Sequence, residues 1–151
     1  MKNKLGILLA LILIVWVIYA LSAQKDESQI TDLPTATPVE VSLTSKTWHW
    51  VSSTYGDGRV ITPNKADVFT VTFTPENTLS ITTDCNHGSG AYTATDGALE
   101  IAPIVSTEMA CGDSQETLFK TDLQNVSSYH ITEQEELVLD IKFDSGSIVF
   151  K

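Results

Sequence analysis

Residues 85–92 read CNHGSGAY and residues 106–111 read STEMAC, and the two cysteines of the chain stand at the outer ends of this stretch. Small and turn-forming residues are denser here than elsewhere in the sequence. We expect the rest of the domain to be organised around this stretch, so the state of the two cysteines is the first question that the sequence raises.

Three states are open to Cys85 and Cys111. A disulfide is favoured if the domain lies outside the cytoplasm, where thiol pairs oxidise and stay oxidised. A metal site would use both cysteines with His87, and with Asp113 or a distant histidine, but the paired C-x₂₋₄-C spacing of zinc sites is absent. A reactive thiol is disfavoured because the neighbouring residues are acidic, which raises a thiol pKa. We therefore predict a disulfide.

The amino-terminal segment predicts a membrane anchor followed by a tether. Lys2 and Lys4 precede an uncharged apolar run at residues 5–21, which as a helix is about 25 Å long and just reaches across a thin hydrocarbon core. We predict a signal anchor at residues 1–23, with a cleaved signal peptide as the alternative. Residues 24–43 are polar and proline-containing and predict a flexible linker. Either reading places the domain at residues 44–151 outside the cytoplasm.

The charge of the chain bears on its partners. The formal net charge is −10. Residues 44–151 contain six Lys and Arg against fifteen Asp and Glu, which gives −9 for the predicted domain. A field of this sign repels phosphate backbones, and no basic cluster offsets it. Nucleic acid is therefore excluded as an expected partner.

From residue 44 onward the hydrophobic period is mostly two, which predicts short antiparallel strands. Trp48 and Trp50 fall on one face of the first strand and are expected in the core. The predicted strands cover residues 47–53, 68–73, 78–83, 90–95, 98–102, 127–132, 136–143 and 148–150. In the strand at 136–143, the residues expected on the inward face are Leu137, Leu139, Ile141 and Phe143.

One segment has a helical period instead. Asp113 and Glu116 resemble a capping box, and Phe119, Leu123 and Val126 follow at helical spacing. This pattern predicts one amphipathic helix at residues 114–125, packed on the sheet. Seven or eight antiparallel strands in about 105 residues can hide their edges by closing. The expected fold class is therefore mainly all-β, a small antiparallel barrel with one packed helix.

The remaining motif residues and the histidines do not form a catalytic pattern. Asn86 is expected to bond locally in a turn, and Met109 is expected to fill a gap in the core. The histidines at 49, 87 and 130 are far apart in sequence and do not suggest a catalytic triad. We expect no catalytic residue, no cofactor and no metal.

At these residues the sequence resembles the META domain family, the fold of the heat-shock-inducible HslJ-like envelope proteins. The resemblance covers residues 44–151, and Asp84 departs from it because the family usually has glycine there. It implies a small lipocalin-like barrel with one helix and an envelope location, together with a general link to stress and antibiotic tolerance; it supplies no catalytic residue. The motif residues that carry it, expected to be structural, are Trp48, Cys85, Asn86, Gly90, Tyr92, Thr107, Met109, Ala110, Cys111, Glu116 and Phe119.

These observations predict a membrane-tethered, extracytoplasmic and non-enzymatic module that supports stress tolerance. Its expected partners are the membrane, through the amino-terminal helix, and an unidentified envelope protein or small ligand. One alternative is a carrier of a small ligand in the barrel interior, where a barrel of about eight strands leaves room for one modest molecule. A metal-dependent hydrolase built on His87 and the cysteines is a further alternative.

Overall fold

The computed structural model of the protein describes residues 41–151. The predicted anchor and most of the predicted linker lie outside these residues. No helix within residues 41–151 is long and apolar enough to cross a membrane. The elements are β1 (Thr47–Tyr55), β2 (Val60–Ile61), β3 (Thr70–Phe73), β4 (Thr78–Thr82), β5 (His87–Thr95), β6 (Ala98–Ile101), β7 (Val105–Ser106), α1 (Glu116–Gln124), β8 (Val126–Ile131), β9 (Leu137–Ile141), a 3₁₀ turn (Lys142–Asp144) and β10 (Gly146–Phe150).

Eight of the strands form a closed antiparallel barrel, as the sequence predicted. Their order around the barrel is β1, β3, β4, β5, β6, β8, β9 and β10. The barrel closes where β10 pairs with β1, from Trp50 opposite Phe150 to Tyr55 opposite Gly146. The two short strands are additions to this path, since β2 pairs with β1 and β7 pairs with β5.

Large apolar side chains fill the interior of the barrel. Trp48 and Trp50 are both buried, as the alternation in β1 predicted. Phe119 of α1 packs against aromatic side chains of the sheet: its ring centroid lies 5.4 Å from that of Trp50 and 5.3 Å from that of Phe69. Burying each such side chain removes apolar surface from water and stabilises the fold by about 1.5–3 kcal/mol. The helix is therefore part of the core.

Two sequence predictions about the core are wrong. Phe143 is 97% exposed, because β9 ends at Ile141 and Phe143 adopts a left-handed φ of 62° in the turn into β10. That turn breaks the alternation that would have directed its ring inward. Met109 is 59% exposed, because it lies in the loop after β7, where its main chain and not its side chain makes the contacts with the barrel.

Candidate functional site

The loop between β7 and α1, residues 107–115, runs across the end of the β4–β5 hairpin; we call it the strap. A disulfide joins Cys111 of the strap to Cys85, with the two Cα atoms 5.9 Å apart. This confirms the predicted pairing. It also removes both thiolates from the proposed metal set, and no group of three or more His, Cys, Asp and Glu within residues 41–151 is arranged to hold a metal ion.

The Asn86 side chain also holds the strap in place, through hydrogen bonds. Its side chain is buried, with the residue only 5% exposed. The Oδ1 atom accepts hydrogen bonds from the Thr107 hydroxyl at 2.7 Å and from the Met109 N–H at 2.9 Å. The Nδ2 atom donates to the Met109 carbonyl at 3.2 Å and to the Glu116 carboxylate at 2.7 Å. The predicted local turn role is therefore incomplete, because the side chain bonds residues more than 20 positions away.

Glu116, the first residue of α1, is the acceptor at the centre of a buried polar cluster. One carboxylate oxygen accepts the Asn86 amide, and the other accepts hydrogen bonds from the Ser106 hydroxyl at 3.3 Å and from the Lys120 ammonium at 3.4 Å. The Lys120 ammonium also donates to the Ser106 hydroxyl at 2.6 Å. Sequence reasoning missed Lys120, although its i,i+4 spacing from Glu116 is the ordinary signal for such a pair.

The predicted capping box does not form, and the residues just before α1 are held by Asp84 of the β4–β5 turn. Asp113 has a left-handed φ of 58° and lies outside the helix. The Asp84 carboxylate instead accepts the Gln115 N–H at 3.1 Å and the Ser114 hydroxyl at 2.5 Å. Desolvation raises the pKa of Asp84, but the hydrogen bonds from Ser114, Gln115 and Asn64 outweigh it and hold the pKa below its usual value. Asp84, the residue that departs from the resemblance, therefore fixes the helix to the β4–β5 turn.

A groove of about 720 Å³ lies between β7 with the strap and the first turns of α1; we call it the strap groove. Residues 104–107 form one wall, and Glu116, Thr117 and Lys120 form the other. The disulfide lines it as well. Val105 is 76% exposed, and the exposed Met109 also lines the groove, so apolar atoms are available beside polar ones.

A second buried carboxylate ties α1 to β1. Asp122 accepts hydrogen bonds from the Ser53 hydroxyl at 3.0 Å and from the Tyr55 hydroxyl at 2.6 Å. Burial raises the pKa of Asp122, and burial together with the bond to Asp122 raises the pKa of Tyr55 to about 12. This contact could not be predicted from a local pattern, because its partners are more than 60 positions apart in the sequence.

The motif residues fall into two groups. Those that the fold brings together around the strap are Cys85, Asn86, Thr107, Met109, Ala110, Cys111 and Glu116. Those that lie elsewhere in the barrel are Trp48, Gly90, Tyr92 and Phe119. Among the latter, the Trp48 indole donates to the Leu43 carbonyl at 2.8 Å, and the Tyr92 hydroxyl donates to the Thr74 carbonyl at 2.7 Å.

Comparison with known proteins agrees with this architecture. The family model described as META domain matches residues 41–149. A protein from Burkholderia xenovorans, solved by NMR, is 20% identical with a TM-score of 0.61, over 72% of this chain and 82% of that one. A DUF4847 family protein from Bacteroides vulgatus is 19% identical with a TM-score of 0.56, over 72% and 92%. At these identities the likeness is one of fold. No protein with a curated description matches the chain.

Proposed function

Since the chain belongs to the META domain family, we propose that it is a membrane-tethered, extracytoplasmic binding module without enzymatic activity. In this proposal, residues 1–23 anchor the protein, residues 24–43 hold the barrel clear of the membrane, and the strap groove contacts an envelope component. A role in stress tolerance follows from the resemblance to HslJ-like proteins. The observation that carries the proposal is the strap groove, an exposed surface whose wall is fastened by a disulfide and by Asn86.

The compartment is argued from the disulfide and from the amino-terminal sequence together. Disulfides persist in oxidising compartments such as the periplasm and the cell surface, and they are rare in the cytosol. The apolar run at residues 5–21, with lysines before it, would deliver the domain to that side of the membrane. Both features favour the same topology and neither depends on the other.

A binding surface outside the barrel is favoured over a carrier site inside it. The fully buried side chains of the interior include Trp48 and four phenylalanines. A molecule could enter only by displacing them, and removing one such side chain from a packed core costs about 3–5 kcal/mol. The strap groove needs no such displacement.

The polar groups of the groove favour binding over catalysis. The Glu116 carboxylate is engaged by Asn86, Ser106 and Lys120, and the ammonium of Lys120 is engaged in turn. Nucleophilic catalysis would need a base that accepts the proton of the nucleophile, and the Lys120 ammonium, which donates to Ser106 and to Glu116, has no lone pair with which to accept one. Here the groups bond one another, which is the arrangement of a fixed surface.

Photocrosslinking in membranes tests the proposal. We would place benzoylphenylalanine at Met109, which lines the groove, and at Phe143 as the matched control, since both side chains are exposed and apolar. We expect one defined adduct from position 109 and none from position 143. Equal labelling from both positions, or no adduct from either, would contradict a binding role for the groove.

Alkylation of the intact membrane protein before and after reduction tests the compartment, since free thiols in the native protein would contradict an oxidising location.

A further inference from the structure

The wall of the strap groove includes an open sheet edge. Within residues 41–151, β7 pairs with β5 and with no second strand. β6, which precedes it on the same side of β5, meets β8 through the single pair Ala98–Ser128. β8 begins only after α1, and Glu116, Thr117 and Lys120 of that helix line the groove across from β7. Within residues 41–151, β7 therefore has one unpaired edge, although the eight-stranded barrel itself is closed through the Ala98–Ser128 pair.

The main chain of Ser106 faces that open side. The Thr107 N–H donates to the His87 carbonyl at 3.0 Å, which makes His87 and Thr107 a hydrogen-bonded pair. The next pair in the antiparallel register, Gly88 and Ser106, is then a non-hydrogen-bonded pair, in which the N–H and C=O groups point away from the partner strand. Ser106 accordingly directs one donor and one acceptor toward the groove.

Neighbouring residues allow β7 to lie close to β5 and limit the length of its edge. A Cβ atom on Gly88 would lie 2.9 Å from Ile104 Cγ2 and 3.0 Å from the Val105 carbonyl oxygen, so only glycine lets β7 come this close to β5. On the other side of Ile104, Pro103 carries no N–H and ends the edge. The segment whose main chain can accept a strand is thus residues 104–107, although the Ile104 side chain is buried.

We propose that the strap groove binds an extended peptide segment of an envelope protein, which pairs with β7 as an added strand. This inference rests on the proposed function and names the class of partner. Unpaired strand edges are recognised by extended main chain, because main-chain hydrogen bonds supply affinity and alternate side chains supply specificity. On the outer face the added strand would lie beside Val105, which favours apolar residues.

The charge around the edge of β7 predicts the charge of the peptide segment that would bind there. The carboxylates of Glu108 and Glu116 line the groove with a single cation, Lys120, which Glu116 already engages. Over residues 44–151 the charge is −9. A segment in which lysine or arginine alternates with apolar residues complements this surface. A second copy of this chain would bring Glu108 against the same acidic edge, so self-association through β7 is disfavoured.

A peptide titration tests strand pairing directly. The probe is an end-blocked peptide of about seven residues with alternating valine, threonine and lysine, titrated into ¹⁵N-labelled protein and followed by NMR. N-methylation at one set of alternate positions removes the N–H groups that face β7, and the other set faces away. We expect one set to weaken binding about tenfold and the other to leave it nearly unchanged. Equal effects of both sets would exclude strand pairing.

A matched pair of variants tests the same contact from the protein side. Ser106→Ala and Ser106→Pro both remove the hydroxyl that bonds Lys120 and Glu116, but only proline removes the outward N–H. We expect the proline variant to bind the probe about tenfold more weakly than the alanine variant. Equal affinities in two folded variants would overturn the proposal. If the proline variant does not fold, the N-methylated peptides decide alone.

The charge of the peptide gives a further test. An acidic peptide, with glutamate in place of lysine, should bind about threefold more weakly, and salt should reduce that difference.

Different results would contradict the envelope-binding proposal and the strand-addition proposal. If crosslinking finds a partner at Met109 while no probe perturbs the amides of residues 104–107, the module binds by another mode and strand addition is refuted. If crosslinking finds nothing and a peptide still pairs with β7, the edge is real but the envelope-binding function is not supported.

Discussion

Asn86→Ala should be one of the most damaging polar substitutions in the domain. The lost side chain bonds the Thr107 hydroxyl, the Met109 N–H and carbonyl, and the Glu116 carboxylate. A neutral hydrogen bond contributes about 1 kcal/mol and one to a charged group about 1.5–3 kcal/mol. Because the Glu116 carboxylate is also buried and loses its shortest donor, we expect a loss of about 3–5 kcal/mol in the free energy of unfolding.

Urea denaturation of the oxidised protein measures this loss, with the fluorescence of the buried tryptophans as the signal. Asn125→Ala is the matched control, because the exposed Asn125 amide makes one side-chain bond, to the Thr121 carbonyl at 2.8 Å. That substitution should cost about 0.5–1 kcal/mol. If Asn86→Ala lowers the free energy of unfolding by no more than the control substitution does, the hydrogen bonds of Asn86 do not hold the strap and the disulfide alone does.

Three further predictions concern the disulfide and two carboxylates. Replacing Cys85 and Cys111 by serine should lower the free energy of unfolding by about 3.5 kcal/mol in urea, as loop closure predicts, and a loss near zero would contradict this. Because the pKa of Asp84 is lowered in the folded state, the stability that its carboxylate contributes is present above the unfolded pKa and is lost as the pH falls through the folded pKa. Asp84→Asn should therefore lower the free energy of unfolding more at about pH 6 than at about pH 3. An equal loss at both pH values would contradict the bonds to Ser114 and Gln115. Because burial raises the pKa of Asp122, the wild type loses stability as the pH rises from the unfolded pKa, about 4, through the raised folded pKa; the Asp122→Asn variant should therefore gain stability relative to the wild type over that range. Ultraviolet titration should also show the Tyr55 pKa falling from about 12 in that variant, and no change would remove Asp122 as a cause.

The barrel could be predicted because its strands have one solvent-exposed face and one buried face. In β1 the alternation of Trp48 and Trp50 with polar residues is visible in the sequence and is present in the fold. β3, β4, β6 and β9 repeat that period, and closure follows from the number of strands and the need to hide edges. The helix was recognisable for the same reason, because Phe119 and Leu123 recur at helical spacing and both are buried.

The wrong predictions concern residues in turns and loops, whose burial the hydrophobic period does not determine. Phe143 continues the alternation of β9 in sequence, but β9 ends at Ile141 and Phe143 itself has a left-handed φ in the turn that follows. Met109 looks like a core residue by composition, yet its main chain is fastened to Asn86 and its side chain is left outside. Asp84 bonds the residues before α1 because the β4–β5 turn lies beside the start of the helix, and no local pattern encodes that proximity.

One turn holds the strap and the start of the helix together. The Thr83 hydroxyl accepts the N–H groups of Cys85 and Asn86 and so shapes the turn between β4 and β5. The three residues that follow Thr83 then bond three different targets: Asp84 the helix start, Cys85 the strap cysteine, and Asn86 the strap main chain.

Because these three contacts come from consecutive residues, the strap and the start of α1 are both tied to the same turn, and we expect the groove between them to keep its shape without a ligand. A surface that is already ordered loses less conformational entropy on binding than a mobile loop would, by about 0.5–1.5 kcal/mol for each side chain that need not be fixed. The same rigidity holds the edge of β7 in place against β5, so an incoming strand would meet hydrogen-bonding groups that already point in the required direction.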